Sequence, residues 1–222
     1  MDNLTHYNYI FFKLLPEIFE IPEKTMSVYK EEFIQIIEKH ANVRIYGYST
    51  LGLKNSTAMM FWIQSASIEN MQVVLQNLLH TNLGKYLEIS YTLSGIKRRS
   101  SYGNKGTAET QEVENNKRAR YLIVYPFTKT TEWYQLPFEA RKELMHEHIK
   151  TGYKYAHIKQ YLLYAIGIDD HEFIVSYETE NLEDFQSLVM DMRSTKVRMY
   201  TQSDTPIFTC VHKPIPELLD TL

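Results

Sequence analysis

This sequence of 222 residues lacks most of the features that assign a function directly. Its only cysteine, Cys210, excludes an intrachain disulfide, and its apolar neighbours are typical of a buried, unreactive thiol. No apolar stretch has the length needed to span a bilayer. The net charge of −3 provides no field for a polyanion, so we expect no nucleic acid partner. Asp2 stands where a signal peptide needs positive charge, and we therefore predict a cytoplasmic protein.

An internal repeat organises the chain. Residues 61–86 resemble residues 175–200 at an offset of 114. Matched pairs include Glu69 with Glu183, Gln72 with Gln186, Thr81 with Thr195 and Tyr86 with Tyr200. Each copy has the pattern of a strand, a capped amphipathic helix and a further strand. The repeat therefore predicts a duplicated α+β fold.

Each half is predicted to have the order βαββαβ of a ferredoxin-like unit, and two such units can form a dimeric-α/β-barrel-type architecture. The predicted strands are 8–14, 44–53, 58–65, 86–96, 120–129, 158–166, 172–178 and 197–211, the last broken near Pro206, and the helices are 22–40, 68–80, 137–155 and 182–194. The predicted domains are an N-terminal repeat at 1–98, a flexible linker at 99–119 and a C-terminal repeat at 120–222. The polar linker is either a mobile connection or a flap that brings Lys97, Arg98, Lys117 and Arg118 to ligand carboxylates.

His148 lies on the apolar face of a predicted helix. Spacings of three and four residues place on that face Leu144, Met145, His148, Ile149, Gly152 and Tyr155. Gly152, one turn after His148, lowers helix stability and leaves room for a flat, bulky group. The ordinary alternatives are a hydrogen-bonded core histidine and a glycine that permits close packing.

The residues near His148 do not indicate a metal site with several protein ligands. His146 and His148 are two positions apart on a helix and point in different directions, and no cysteine or second inward histidine completes a zinc tetrahedron. A non-heme iron triad lacks its second histidine. A single strong axial ligand is the pattern of a heme protein.

Two predicted strands supply a polar and aromatic wall. Tyr125 and Lys129 share one strand face and lie roughly 13 Å apart at strand rise, about the breadth of a porphyrin. On the next strand, Gln160 shares a face with Leu162 and Tyr164, where an amide needs a partner such as backbone or a ligand on iron. The ordinary alternative places Tyr125 in the core and Lys129 at the wet end of its strand.

Ordered motifs in the second half resemble the chlorite dismutase-like superfamily, which includes the coproheme decarboxylases. The motifs are Y-P-F-x-K, W-Y-x-L-P, R-x-x-L-M-x-E-H, G-x-x-Y, G-x-D-D-x-E-F and D-T-P-I-F. The resemblance implies paired ferredoxin-like repeats, with heme b or iron coproporphyrin in the C-terminal repeat, and a homopentamer.

The resemblance also implies roles for individual residues. His148 matches the proximal iron ligand. Tyr125 matches the tyrosine that coproheme decarboxylases oxidise to a radical, and Lys129 matches the lysine beside the reacting propionate. Trp133 and Gly152, which belong to two further motifs, are expected to contact the cofactor.

The residue on the distal side of the iron has two candidates. Counting back from Gly167 places Gln160 where one type of decarboxylase has a distal glutamine, whereas counting forward from His148 gives Tyr161. We prefer Gln160, because the register is tighter across a strand than across a loop. No arginine lies between Arg141 and Arg193, so the distal guanidinium of the true chlorite dismutases is missing from the expected strand.

The resemblance therefore predicts a heme-dependent oxidoreductase. Its expected reaction is the peroxide-dependent decarboxylation of iron coproporphyrin propionates through a tyrosyl radical. The alternatives are a chlorite dismutase or weak heme peroxidase, a heme carrier or sensor without turnover, and a cofactor-free or purely structural protein. Candidates for a carboxylate that hydrogen-bonds to His148 are Asp204 and Glu178.

Overall fold

The computed structural model describes residues 5–98, 100, 102 and 117–222, which form two compact units. One unit contains the described residues up to Lys97 together with Thr209–Leu222, and the other contains the described residues from Arg98 to Phe208. The segment Thr209–Leu222 thus groups with the N-terminal repeat, whereas the sequence-based boundary placed it in the C-terminal one. Most of the predicted linker or flap at 99–119 lies outside the described residues.

The first unit is an antiparallel sheet covered by helices. Its elements are β1 (His6–Leu14), α1 (Glu23–Lys39), β2 (Val43–Ser49), β3 (Met59–Ser65), α2 (Ile68–His80), β4 (Leu87–Lys97), β9 (Phe208–His212) and α6 (Ile215–Leu219). The strand order is β4–β1–β3–β2, and β9 pairs with β2 between His212 and Tyr48. The core includes Phe33 of α1 and Val74 of α2, packed with Phe61 of β3.

The second unit repeats this order. Its elements are β5 (Tyr121–Lys129), α3 (Thr131–Gln135), α4 (Phe138–Gly152), β6 (Lys159–Tyr164), β7 (Phe173–Thr179), α5 (Leu182–Arg193) and β8 (Thr201–Ser203). The strand order is β6–β7–β5–β8, again antiparallel. Because a ferredoxin-like unit has this arrangement, the predicted α+β fold of two such repeats is confirmed.

The helices at matching positions of the repeat begin in the same way. Ser67 precedes α2, and its side chain accepts a hydrogen bond from the Asn70 N–H. Asn181, 114 positions later, precedes α5 and accepts one from the Glu183 N–H. Such caps satisfy backbone donors that the first turn leaves without partners. A 3₁₀ turn follows both helices, at Gly84–Tyr86 and at Lys196–Tyr200.

Several predicted boundaries are wrong. The strand predicted to begin at Val197 begins at Thr201, because Lys196–Tyr200 forms the 3₁₀ turn, and the break predicted near Pro206 separates β8 from β9. The strand predicted to run to Leu53 ends at Ser49. The short helices α3 and α6 were not predicted. Within the described residues, no helix is both long and apolar enough to cross a bilayer.

Candidate functional site

One face of the second sheet carries Tyr125. Antiparallel pairing places Tyr125 of β5 opposite Val175 of β7, and Val175 opposite Leu162 of β6. Directly paired residues point to the same side of a sheet, and so do residues two positions along each strand. The same face therefore carries Ile123, Phe127, Phe173, Tyr177, Gln160 and Tyr164. Part of it is packed core, because Phe185 and Leu188 of α5 contact it.

Tyr125 has a second phenol beside it. Its ring stacks on that of Tyr177, with centroids 6.2 Å apart and an interplanar angle of 26°. Burial raises the pKa of Tyr125, although a hydrogen bond with Tyr177 opposes this rise. Burial also raises the pKa of Tyr177, and the electrostatic interaction with Tyr125 raises it further. Tyr125 is thus a protonated phenol at neutral pH.

Lys129 lies in an aromatic setting. Its Nζ is 4.7 Å from the ring centre of Trp133 and 5.7 Å from that of Phe127, which are cation–π distances. Burial lowers its pKa to about 8, the charge of Arg198 contributes in the same direction, and Glu172 opposes them. Lys129 is therefore charged at pH 7, and its partly buried surroundings favour an ion pair between the ammonium and an anion.

Trp133 supports Lys129 from α3. Its side chain is buried and packs near Tyr102 and Tyr200, at centroid distances of 6.2 Å and 5.7 Å. The backbone N–H of Lys129 donates to Glu172 Oε2 at 2.6 Å, which fixes the end of β5. Direct contact of Trp133 with a cofactor stays a prediction, whereas its contact with Lys129 is observed.

His148 is partly buried on α4, and His146 is exposed, as the helical spacing predicted. Its Nδ1 lies 3.5 Å from Thr195 Oγ1. Burial lowers the pKa of His148 to about 4, and the charge of Lys129 contributes in the same direction while Glu147 opposes it. The imidazole is therefore neutral at physiological pH, which is the form that binds a metal.

The two carboxylates that were candidate partners of His148 are bound elsewhere. Asp204 accepts from Arg193 at 3.2 Å and from Arg198 at 3.3 Å. Glu178 is buried, lies 3.3 Å from Arg118 and accepts from the Tyr161 hydroxyl at 2.6 Å. The expectation of a carboxylate partner is thus wrong for both, because each carboxylate compensates a guanidinium. Arg118, a candidate flap residue, is the largely buried partner of Glu178.

Gln160 and Tyr161 lie on opposite faces of β6. Gln160 pairs with Tyr177 and shares the face of Tyr125, whereas Tyr161 is buried on the other side. The structure therefore places Gln160 and not Tyr161 on the face of Tyr125, although the role of Gln160 stays a prediction. Gln160 is exposed, so water can satisfy its amide, and the expected partner on backbone or on iron stays a prediction.

Gly152 lies close to the Met192 side chain. A Cβ atom built on Gly152 would lie 2.9 Å from Cε of Met192 on α5, so any larger residue would displace that methionine. The contact involves only the flexible end of the Met192 side chain, which can move at little cost. A flat cofactor resting on this turn stays a prediction.

The sequence did not single out Thr195, Tyr177 or the arginine pair Arg193 and Arg198. Tyr177 could have been found from the sequence, because side chains alternate along its strand as they do along the strand of Tyr125. The repeat could have drawn attention to Thr195, because it aligns Thr195 with Thr81. That alignment does not indicate a chemical role, which follows only from the contact with His148.

The second unit fits an iron porphyrin. All fifteen residues of α4 are described and none is fully buried, although Leu144, Met145 and Ile149 share the face of His148. A large apolar group could therefore cover this face. One neutral imidazole suits the iron, and positive charge suits carboxylates at Lys129 and at the pair Arg193 and Arg198, which keeps one charge in excess beside Asp204.

Comparisons with known proteins agree with this arrangement. The family model described as Chlorite dismutase matches residues 26–213. The chain is 27% identical to a coproheme decarboxylase of Mycolicibacterium smegmatis, over 73% of this chain and 70% of that protein. It is 23% identical to a chlorite dismutase of Ideonella dechloratans, over 95% and 77% respectively.

Among solved structures, a chlorite dismutase from Candidatus Nitrospira defluvii in complex with imidazole has a TM-score of 0.90 at 27% identity. The match covers 98% of this chain and 94% of that one. The family match spans most of the chain and includes every candidate site residue. The chain therefore belongs to the chlorite dismutase family.

Proposed function

We propose that the protein binds an iron porphyrin through His148 and uses hydrogen peroxide to decarboxylate the propionates of iron coproporphyrin. One observation carries the proposal: the phenol of Tyr125, the ammonium of Lys129, 4.7 Å from the Trp133 ring centre, and the partly buried imidazole of His148 belong to the same unit. Relatives from two organisms that are named coproheme decarboxylase support the choice of substrate.

His148 and Lys129 bind the two ends of the substrate in this proposal. The imidazole coordinates the iron, and the ammonium pairs with a propionate carboxylate. Arg193 and Arg198 share the single carboxylate of Asp204, so this group of three residues has one positive charge in excess that attracts a carboxylate. Trp133 and Phe127 hold Lys129 in position through their rings.

Tyr125 transfers the hydrogen atom in the proposed reaction. The bound iron porphyrin supplies the redox chemistry with peroxide. Tyr125 gives up its phenolic proton with one electron and then takes a hydrogen atom from the propionate chain, after which carbon dioxide leaves and a vinyl group remains. For each propionate, two electrons leave the substrate and reduce one hydrogen peroxide to two waters. Gln160 is neutral, so it can orient peroxide by hydrogen bonds without acting as a strong base.

Product analysis tests the proposal. We expect the full-length protein, mixed with iron coproporphyrin III and hydrogen peroxide, to give products that have lost one carbon dioxide and two hydrogens per step. Liquid chromatography with mass detection would resolve each step. An oxygen electrode with added chlorite tests dioxygen release as a separate activity. Tight porphyrin binding without product would instead identify a carrier or sensor and overturn the proposed reaction.

The affinity for iron coproporphyrin should depend on pH through Lys129. A lysine with a pKa of about 8 is charged below that pH and neutral above it. The ion pair with a propionate therefore weakens as the pH rises through about 8, by about tenfold for a charge-assisted hydrogen bond. Lys129→Met keeps the apolar stem and should remove this dependence. Equal pH profiles of the dissociation constants in the two proteins would contradict the role of Lys129.

The cytoplasmic location and the homopentamer belong to the same proposal. Both derive from the sequence and the family resemblance. Light scattering of the purified protein would measure the number of subunits directly.

A further inference from the structure

Thr195 has one hydroxyl hydrogen and two neighbours. Its Oγ1 donates to the backbone oxygen of Met192 at 2.7 Å, one turn earlier in the chain. The same Oγ1 lies 3.5 Å from Nδ1 of His148. Because the single hydrogen is already directed at Met192, the oxygen can present only a lone pair to the imidazole. The proton of this contact must then be on Nδ1.

The repeat supports this assignment independently. Thr81 is the equivalent of Thr195 in the first unit, and its Oγ1 also donates to the carbonyl three residues earlier, on Leu78, at 2.7 Å. There the lone pair of Oγ1 accepts the Gly84 N–H at 2.9 Å. Both threonines therefore have the same donor bond after the equivalent helix. In the second unit the accepting side of the hydroxyl faces His148.

The protonation of His148 has a chemical consequence. A neutral imidazole has one N–H and one lone pair, on different nitrogens. With the proton on Nδ1, the lone pair lies on Nε2, which becomes the nitrogen able to bind a metal. Asp204 and Glu178 are paired with arginines, so the observed partner of His148 is a neutral hydroxyl.

We infer that Thr195 is a positioning residue, which holds His148 in the tautomer protonated at Nδ1 and keeps Nε2 free for the iron of the porphyrin. This inference rests on the proposed function for the identity of the metal, but the tautomer is a property of the protein itself. A hydroxyl acceptor withdraws the Nδ1 proton less than a carboxylate would, so it leaves the imidazole a weaker electron donor to the iron.

Nitrogen NMR of the full-length protein without porphyrin tests the tautomer. With ¹⁵N-labelled histidine, we expect His148 to show a protonated Nδ1 and an unprotonated Nε2. Thr195→Val is nearly isosteric but cannot accept, so the ratio of the two tautomers should shift by about tenfold toward the form protonated at Nε2. Thr195→Ser restores the acceptor and should restore the ratio. Thr81→Val makes the same change in the first unit and should leave the ring of His148 unaffected.

A second measurement uses the protein loaded with iron porphyrin. Thr195→Val should shift the reduction potential and the iron–nitrogen stretching frequency of the ferrous protein, while Thr195→Ser and Thr81→Val should leave both near the wild-type values. An unprotonated Nδ1 in the wild type, or an unchanged tautomer ratio in Thr195→Val, would overturn the inference. If the tautomer ratios were as expected but the protein did not bind iron porphyrin, the role of Thr195 in positioning the ring would hold. The proposed function would then be overturned.

Discussion

Replacement of His148 by glycine is expected to lower the affinity for iron porphyrin by at least about 100-fold, or about 2.8 kcal/mol. The neutral imidazole is the proposed iron ligand, and the variant leaves only apolar contacts and the cations near Lys129 to bind the group. Titration of the full-length protein with iron coproporphyrin, followed by the Soret band, measures the change.

Two controls separate ligation from folding. His146→Gly makes the same change two positions earlier on α4, where the side chain is exposed, and should bind as the wild type does. Added imidazole can occupy the space left in His148→Gly and should restore the Soret band. A full-strength band in His148→Gly without imidazole would contradict the assignment of His148 as the iron ligand.

The periodic part of the site was visible in the sequence. Spacings of three and four residues correctly placed His148 on the inner side of α4 and His146 outside. The alternation used to place Tyr125 and Lys129 on one face holds along β5 as far as Phe127, and the register shifts between Thr128 and Lys129. These predictions depend only on the geometry of one element, and both patterns extend over enough residues to define a period.

The partners of these residues depend on contacts between distant segments, which no local pattern specifies. Thr195 lies 47 positions from His148, and its hydroxyl could have faced any acceptor or donor. A carboxylate partner was expected for His148. Asp204 and Glu178 form ion pairs with arginines instead, because a charged partner binds a carboxylate more strongly than a neutral ring does.

The errors in the fold also have physical reasons. Residues 196–199 alternate polar and apolar side chains, which is typical of a strand, but four residues are too few to distinguish a period of two from the period of three in a 3₁₀ turn. The C-terminal residues Thr209–Leu222 follow the second repeat in sequence but belong to the first unit, where Leu218 and Leu219 are fully buried in its core. Only tertiary packing determines which unit such a terminal segment joins.

Tyr125→Phe is expected to reduce vinyl formation from iron coproporphyrin by roughly 10²–10⁴-fold, the range for loss of a positioned proton-transfer group. The variant retains the aromatic ring on Val175 and Tyr177 and therefore the packing of the face, but it has no hydroxyl hydrogen to give up. Porphyrin affinity should change little, because His148 and Lys129 remain. Rapid mixing with peroxide, followed by mass analysis of products and by electron paramagnetic resonance, measures both turnover and the radical.

Tyr177→Phe provides the matched comparison, because it removes the neighbouring phenol of the stacked pair and leaves Tyr125 intact. The interaction with the Tyr177 hydroxyl lowers the pKa of Tyr125, so its loss should raise that pKa further and make removal of the phenolic proton harder. We therefore expect slower vinyl formation in Tyr177→Phe but not its loss. If Tyr177→Phe abolished turnover while Tyr125→Phe retained it, the radical would belong to Tyr177. Retention of the wild-type rate by both variants would exclude a tyrosyl radical at this pair and leave the decarboxylation without its proposed hydrogen acceptor.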